Sequence, residues 1–203
     1  MEEILDGVHH WTAMHPGIGM EVSSYHVAPA RTLIDPMASD EALEWLRDHG
    51  ERPDRIVLTN RHHLRGSERF RDEFGCRILC HRAGLHEFRG EDGVEVEGFA
   101  FGDELAPQLR ALEVGAICEE ETALHVDLGP GALAVADGII NYGGIRFVPD
   151  NLIGDNPEPV KVRLRRSYAR LLDHRFDAIL FAHGEPMPDG AKDALREFVE
   201  AGS

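Results

Sequence analysis

Three features of the sequence predict an α/β fold. Short apolar runs rich in β-branched residues alternate with amphipathic helical segments. Four of these runs stop at residues able to bind a metal or carry a proton: Asp35 after "TLI", the "NRHH" loop after "RIVLT", Asp137 after "LAVA" and His183 after "ILFA". Finally, 203 residues with no linker-like tract are expected to form one domain, 1–203, around a substantial core.

Residues 21–28, "EVSSYHVA", and 31–35, "RTLID", carry β-branched and aromatic side chains about Pro29-Ala30 and read as a hairpin. In "SDEALEWLRDHG" Ser39 is a plausible N-cap. Asp40 and Glu41 suit the positive end of the helix dipole, and Gly50 suits the stop. "DRIVLTN" is a buried strand that runs into the "RHHLRG" loop. "SERFRDEFG" is a short helix with Phe70 and Phe74 on one face and Gly75 at its end, and "CRILCH" is the next strand. Residues 87–104 read as turns with one weak strand near 94–99. "LRALEVG", "TALHVDL" and "GALAVADGII" return to strands. A helix follows with Leu164, Tyr168, Leu171 and Leu172 at i, i+4, i+7 and i+8. "FDAILFAHGEPM" is a final buried strand, and "DGAKDALREFVE" is a closing amphipathic helix.

The composition narrows the function classes. A formal net charge of −16 repels phosphate polymers and anionic bilayers, so neither nucleic acid nor membrane is an expected partner. A small anionic molecule is not excluded, because local arginines can override the mean field. The opening "MEEILDGVHHW" lacks a basic segment followed by an apolar run, so no signal peptide is expected. Cys76, Cys80 and Cys118 are odd in number and form no dense framework, which fits a reducing cytoplasm. Cys76 and Cys80 read as core residues. There is no Gly-x-Ser-x-Gly elbow, P-loop or dinucleotide fingerprint, which argues against serine hydrolase, NTPase and Rossmann oxidoreductase chemistry.

Taken singly, the strand-end residues have bland readings. His62 and His63 could be surface loop residues, Asp137-Gly138 a turn, and His183 a backbone-bonded strand end. Their joint order carries more, because α/β folds build sites where strands stop. In that order, "YHVAPARTLIDP", "TNRHHLRG", "LAVADGII" and "ILFAHGEPM" together resemble the metallo-β-lactamase superfamily over nearly the whole chain. The resemblance implies a four-layer αβ/βα sandwich of two mixed β-sheets flanked by helices, with a metal site at the sheet edges where the two halves meet.

Carried over residue by residue, the resemblance implies a depleted ligand set. Asn60 stands at the first loop histidine, His62 matches the second, Leu64 takes the place of the loop aspartate and Arg65 that of the third histidine. The Gly-His turn falls on "VGAIC" with Ala116 at the histidine, Asp137 matches the bridging aspartate, and His183 matches the last histidine. Leucine offers no lone pair and arginine brings a charge that cannot be removed, so a binuclear centre is not expected. Two arrangements stay open. In one, His62, Asp137 and His183 hold a single weakly bound divalent ion (zinc, iron or manganese), His63 replaces a lost ligand if the loop shifts, and a small substrate is hydrolysed. In the other, no metal binds: Arg65 occupies the vacated space and pairs with Asp137, and Arg65, His62 and His183 hold a small anion, with Asn60 and His63 alongside. Arginine's permanent charge favours the Arg65–Asp137 pair. The expected catalytic residues are Asp137, His62 and His183, with Arg65, Asn60 and His63 binding substrate. His10, Trp11 and Tyr25 are expected at the pocket mouth. "CEEE" at 118–121 is expected to be a solvated turn, with Glu121 buried near the site.

Overall fold

The computed structural model describes residues 1–49, 52–90 and 93–201. Seven strands form the first sheet in sequence order: β1 (Glu2–Leu5), β2 (Val8–His15), β3 (Met20–Val27), β4 (Thr32–Ile34), β5 (Arg55–Val57), β6 (Arg77–His81) and β7 (Glu97–Phe99). The first four pair antiparallel and the last four parallel, so the sheet is mixed. Helix α1 (Asp40–Asp48) makes the crossover from β4 to β5, and α2 (Ser67–Phe74) the one from β5 to β6.

Both helices end as their sequences dictate. The Ser39 hydroxyl accepts the Ala42 N–H at 3.1 Å, satisfying one orphan donor of the first turn of α1. Gly75 closes α2 at φ 72°, a conformation that glycine adopts without steric cost. Gly50, the expected stop for α1, lies outside the described residues.

The second sheet holds β8 (Glu104–Ala106), β9 (Leu109–Glu113), β10 (Thr122–Val126) and β11 (Ala132–Val135). They are followed in the chain by a separate hairpin of β12 (Ile139–Asn141) and β13 (Ile145–Phe147). Helices α3 (Asp150–Ile153) and α4 (Pro157–Leu171) lead to β14 (Ala178–Phe181), which pairs parallel with β11, and α5 (Ala191–Glu200) closes the fold. The sheet order is β14-β11-β10-β9-β8.

Period-two alternation sorts these strands into layers. Ile34, Val57 and Leu79 of the first sheet meet Leu124, Ala134 and Leu180 of the second in the sandwich interior. Their neighbours Leu33, Ile56 and Ile78 turn outward onto Leu43 and Leu46 of α1 and Phe70 of α2, together with Cys76 and Cys80. Leu133, Val135, Ile179 and Phe181 turn outward onto Leu164, Tyr168 and Leu171 of α4 and Leu195 of α5. The result is a four-layer αβ/βα sandwich with two mixed sheets. Among the described residues no helix is long and apolar enough to cross a membrane.

Candidate functional site

The chemistry-bearing residues sit at the carboxyl ends of two pairs of parallel strands. β4 ends at Asp35 and β5 runs into Thr59 and Asn60, while β11 runs into Asp137 and β14 into His183. Bonds between the sheets bring the two pairs together: Ser23 N donates to Ala182 O at 3.1 Å and Tyr25 OH to Phe181 O at 2.7 Å. The turn after His183 demands glycine. Gly184 has φ +89°, and a Cβ there would lie 1.9 Å from the Asn141 carbonyl oxygen.

The loop after β5 does not place its histidines as the sequence suggests. Residues Arg61–Leu64 wind into a 3₁₀ turn kinked at His63 (φ −93°, ψ 21°), with the Asn60 side-chain carbonyl oxygen accepting the His62 N–H at 2.8 Å. His62 is exposed on the cavity wall and it is His63 that is buried. The His63 Nδ1–H is shared between Asp35 Oδ2 at 2.9 Å and Thr59 Oγ1 at 3.0 Å, and Nε2 faces Asp137 Oδ1 at 3.2 Å. His183 Nε2 meets the same Asp137 oxygen at 3.1 Å, and Asn60 Nδ2 donates to Asp137 Oδ2 at 2.8 Å. Among the described residues, the group able to hold a metal ion is therefore His63, Asp137 and His183, with ligand atoms all within 4.8 Å of one another. His63 stands where His62 was expected, because a tight turn buries one of two adjacent rings and exposes the other.

The expected Arg65–Asp137 pair is not formed. Arg65 Nη1 donates to the carbonyls of Ser23 at 2.8 Å and Asp35 at 2.9 Å, and Nη2 to that of Ala182 at 3.4 Å. Those carbonyls line up at the seam between the sheets and fit the flat guanidinium fork, whereas Asp137 already has donors from His63, His183 and Asn60. Asp35 and Arg65 both lie in the left-handed region, at φ 46° and 45°. Such positions cost on the order of 1–3 kcal/mol each unless the surroundings hold them, and the Arg65–Asp35 bond ties the two together.

Electrostatics follow the geometry. Burial and the nearby Arg65 both oppose a charged His63, yet Asp35 and Asp137 outweigh them and lift its pKa to about 9. Burial would raise the Asp137 carboxyl, but His63 and His183 hold it well below the ordinary range. Asp35 is lowered in the same sense by His63, Arg65 and Thr59. In the metal-free protein the site is thus a cation, His63, clamped between two carboxylates.

The same groups fit one divalent ion. Ligand bonds of about 2.0–2.1 Å in a tetrahedral shell place donor atoms roughly 3.3 Å apart, close to the 3.1 and 3.2 Å observed here. Asp35 on Nδ1 supplies the carboxylate–histidine support that metal-bound imidazoles use. A second ion finds no comparable set among the described residues: Asn60 turns its amide nitrogen toward Asp137, Leu64 has no donor and Arg65 is committed to carbonyls.

The segment 118–121 is a turn with Glu119 exposed and Glu121 buried at the site as expected, but Glu120 is buried as well, both at 1% exposed. Glu120 pairs with Arg61. Glu121 lines the cavity and accepts the N–H of Gly138 at 2.8 Å and of Ile117 at 3.0 Å, which fixes the backbone beside Asp137. Burial, against these bonds and with help from Asp137, raises its pKa to about 7. Ala116, expected at the Gly-His turn, is buried in the core beside α4 and does not line the cavity. His10, Trp11 and Tyr25 are not at the mouth. His10 stacks on Tyr25 and bonds Ser23 Oγ at 3.1 Å, and Trp11 donates to Met37 O at 2.9 Å. Thr59 was missed as a site residue, although its place between a buried strand and the histidine loop is a readable signal.

A cavity of about 1300 Å³ opens above these groups. Its floor includes Asn60, His63, Arg65, Asp137 and His183, and its walls come from the β2–β3 turn, the β12–β13 hairpin and α3.

No protein-family model matches the chain, and no curated protein is significantly similar to it in sequence. Solved structures are similar in fold. A metallo-β-lactamase family protein from Thermus thermophilus superposes with TM-score 0.70 at 19% identity, covering 98% of this chain and 80% of that one. The DIM-1 metallo-β-lactamase gives TM-score 0.72 at 14% identity, covering 100% and 97%. A protein crystallised in a di-iron-bound form gives 0.63 at 18% identity, covering 91% of each chain. The layer order, the strand-end site and these superpositions agree: the chain has the metallo-β-lactamase fold.

Proposed function

We propose that this chain, acting as one domain, is a diverged hydrolase-like member of its fold class that holds at most one divalent ion, on His63, Asp137 and His183. The observation that carries the reading is the convergence of those three ligand atoms, with His63 braced from behind by Asp35. Zinc, iron or manganese fits the mixed nitrogen and oxygen donor set. When bound, such an ion polarises a carbonyl and acidifies a coordinated water. The protein's own contribution is positional. Asp35 and Thr59 fix the His63 ring, Asn60 steers the second oxygen of Asp137, and Glu121 anchors the backbone at Gly138. Arg65 locks the seam that keeps the two halves of the site in register.

A metal-free reading is favoured by one observation. Both Asp137 oxygens and both His63 nitrogens already have partners within the protein, so the site is bonded without an ion. In that case the cavity is a binding or regulatory site for a small anion, with His62 on its wall and His183 and Arg65 on its floor. In both readings we place the protein in the cytoplasm, on its three free cysteines, with a small molecule as partner rather than nucleic acid or membrane. Loading purified protein with zinc, iron or manganese and assaying chromogenic esters and thioesters separates the two. The hydrolase reading expects turnover that Asp137→Asn abolishes, and turnover in none of the loaded forms overturns it in favour of the metal-free one.

A further inference from the structure

We infer that the cavity receives an apolar acyl chain, seated along its mouth with the carboxyl or ester end at the floor. This rests on the hydrolase reading and deepens it by naming the acyl half of the substrate. Among the described residues six large hydrophobic side chains are conspicuously exposed, and four of them line this one opening: Ile18 at 53%, Met20 at 48%, Tyr142 at 42% and Leu152 at 63%. Scattered exposed hydrophobics are ordinary, but a concentration of them around a concave site marks a binding surface. They also come from unconnected parts of the chain. Ile18 belongs to the β2–β3 turn and Met20 opens β3, Tyr142 belongs to the β12–β13 turn and Leu152 to α3, so no single amphipathic element explains them.

The wall behind them is apolar and firmly backed. Ile140 and Val148 line the cavity and pack with Ile153 in a small separate cluster. At about 1300 Å³ the space exceeds the roughly 300–1,000 Å³ of common small-molecule pockets, leaving room for a chain beyond the reacting group. Charge selects the end that enters first. In a protein of net charge −16 the floor presents Arg65, a permanent cation, and the oxygens of Asp137 and Glu121 are already taken by donors. Hydrolysis of an ester of such a chain consumes one water and releases the carboxylate and an alcohol, so the free carboxylate is a product and a stable probe.

The test is calorimetric titration of the purified protein with butyrate, hexanoate, octanoate and decanoate. Affinity is expected to rise about two- to fourfold per added methylene, the gain for a partly to fully buried methylene. Met20→Ser and Leu152→Ser should weaken decanoate at least fivefold and leave butyrate, metal content and melting temperature unchanged. Affinity independent of chain length, or rim variants that bind decanoate like the parent, would overturn the inference. So would a dimer split by Leu152→Asp, which would assign the rim to a second copy of the chain. The titration reads binding alone, so a failure of ester hydrolysis leaves it standing and is told apart from it.

Discussion

Replacing Arg65 tests whether the seam between the two sheets is held by backbone recognition or by charge pairing. Arg65→Met keeps most of the stem and removes every donor. Two bonds within 3.0 Å, to Ser23 O and Asp35 O, and a longer one to Ala182 O are lost. Hydrogen bonds to a charged group are worth about 1.5–3 kcal/mol each, but Asp35 O keeps Ser24 Oγ and Ala182 O keeps the Ser23 N–H. Cavity water can also replace part of the fork, so the expected net cost is about 2–4 kcal/mol. For a chain of this length that is a fall in Tm of roughly 4–16 °C. Urea unfolding of the parent, Arg65→Met and Arg65→Lys reads the cost directly, with an unchanged m-value showing that the folded state is intact. Lysine keeps the charge and loses the fork, so it should recover less than half of the loss. Full recovery by lysine, or a methionine variant as stable as the parent, would refute the backbone-fork assignment.

Other perturbations follow from the same geometry. In chelator-treated protein His63 has its pKa lifted from 6.5 to about 9. The linked stability, about 3 kcal/mol, is complete below pH 6.5 and lost as pH rises through 9, and His63→Gln should flatten that limb of a pH–stability curve. His26 behaves in the opposite sense. It is buried with neither ring nitrogen bonded, burial lowers its pKa to about 4, and about 3 kcal/mol should be lost as pH falls from 6.5 to 4, a loss absent in His26→Phe. Gly184→Ala forces a Cβ against the Asn141 carbonyl at a positive φ, and should cost more than about 3 kcal/mol or prevent accumulation of soluble protein, as read by unfolding or expression yield.

Much of this architecture was legible because it rests on short-range patterns. The Ser39 cap, the Gly75 stop and the alternation through "TLI", "RIV" and "AILF" each state a local structure that tertiary packing only had to accept. The N-terminal strands β1 and β2 were less readable, since "EEIL" and "VHHWTAMH" alternate weakly, β2 gaining its pairing from β3 and β1 in turn from β2. The hairpin of β12 and β13 looked like a continuation of β11 because a single turn at Ala136–Gly138 separates two apolar runs.

At the site, Asp35, Asp137 and His183 were readable as strand ends, where the sheet fixes position. The choice between His62 and His63 was not. Adjacent residues in a 3₁₀ turn diverge by about 120°, and which of them faces inward depends on the Asn60 cap and on Asp35, 28 positions earlier than His63. Arg65 misled for a related reason. Its charge pointed to the nearest carboxylate, but three carbonyls from distant strands fit its fork, and no sequence pattern marks a carbonyl. Glu121 was legible as a buried acid near the site, but its role as a backbone anchor depends on Gly138 lying against it.

The most direct measurement is metal stoichiometry by elemental analysis of protein grown in supplemented medium, for the parent, His62→Ala and His63→Ala. A single-ion site on His63, Asp137 and His183 predicts no more than one equivalent, kept by His62→Ala and lost in His63→Ala. Two equivalents in the parent, or one that disappears with His62 and survives without His63, would contradict it.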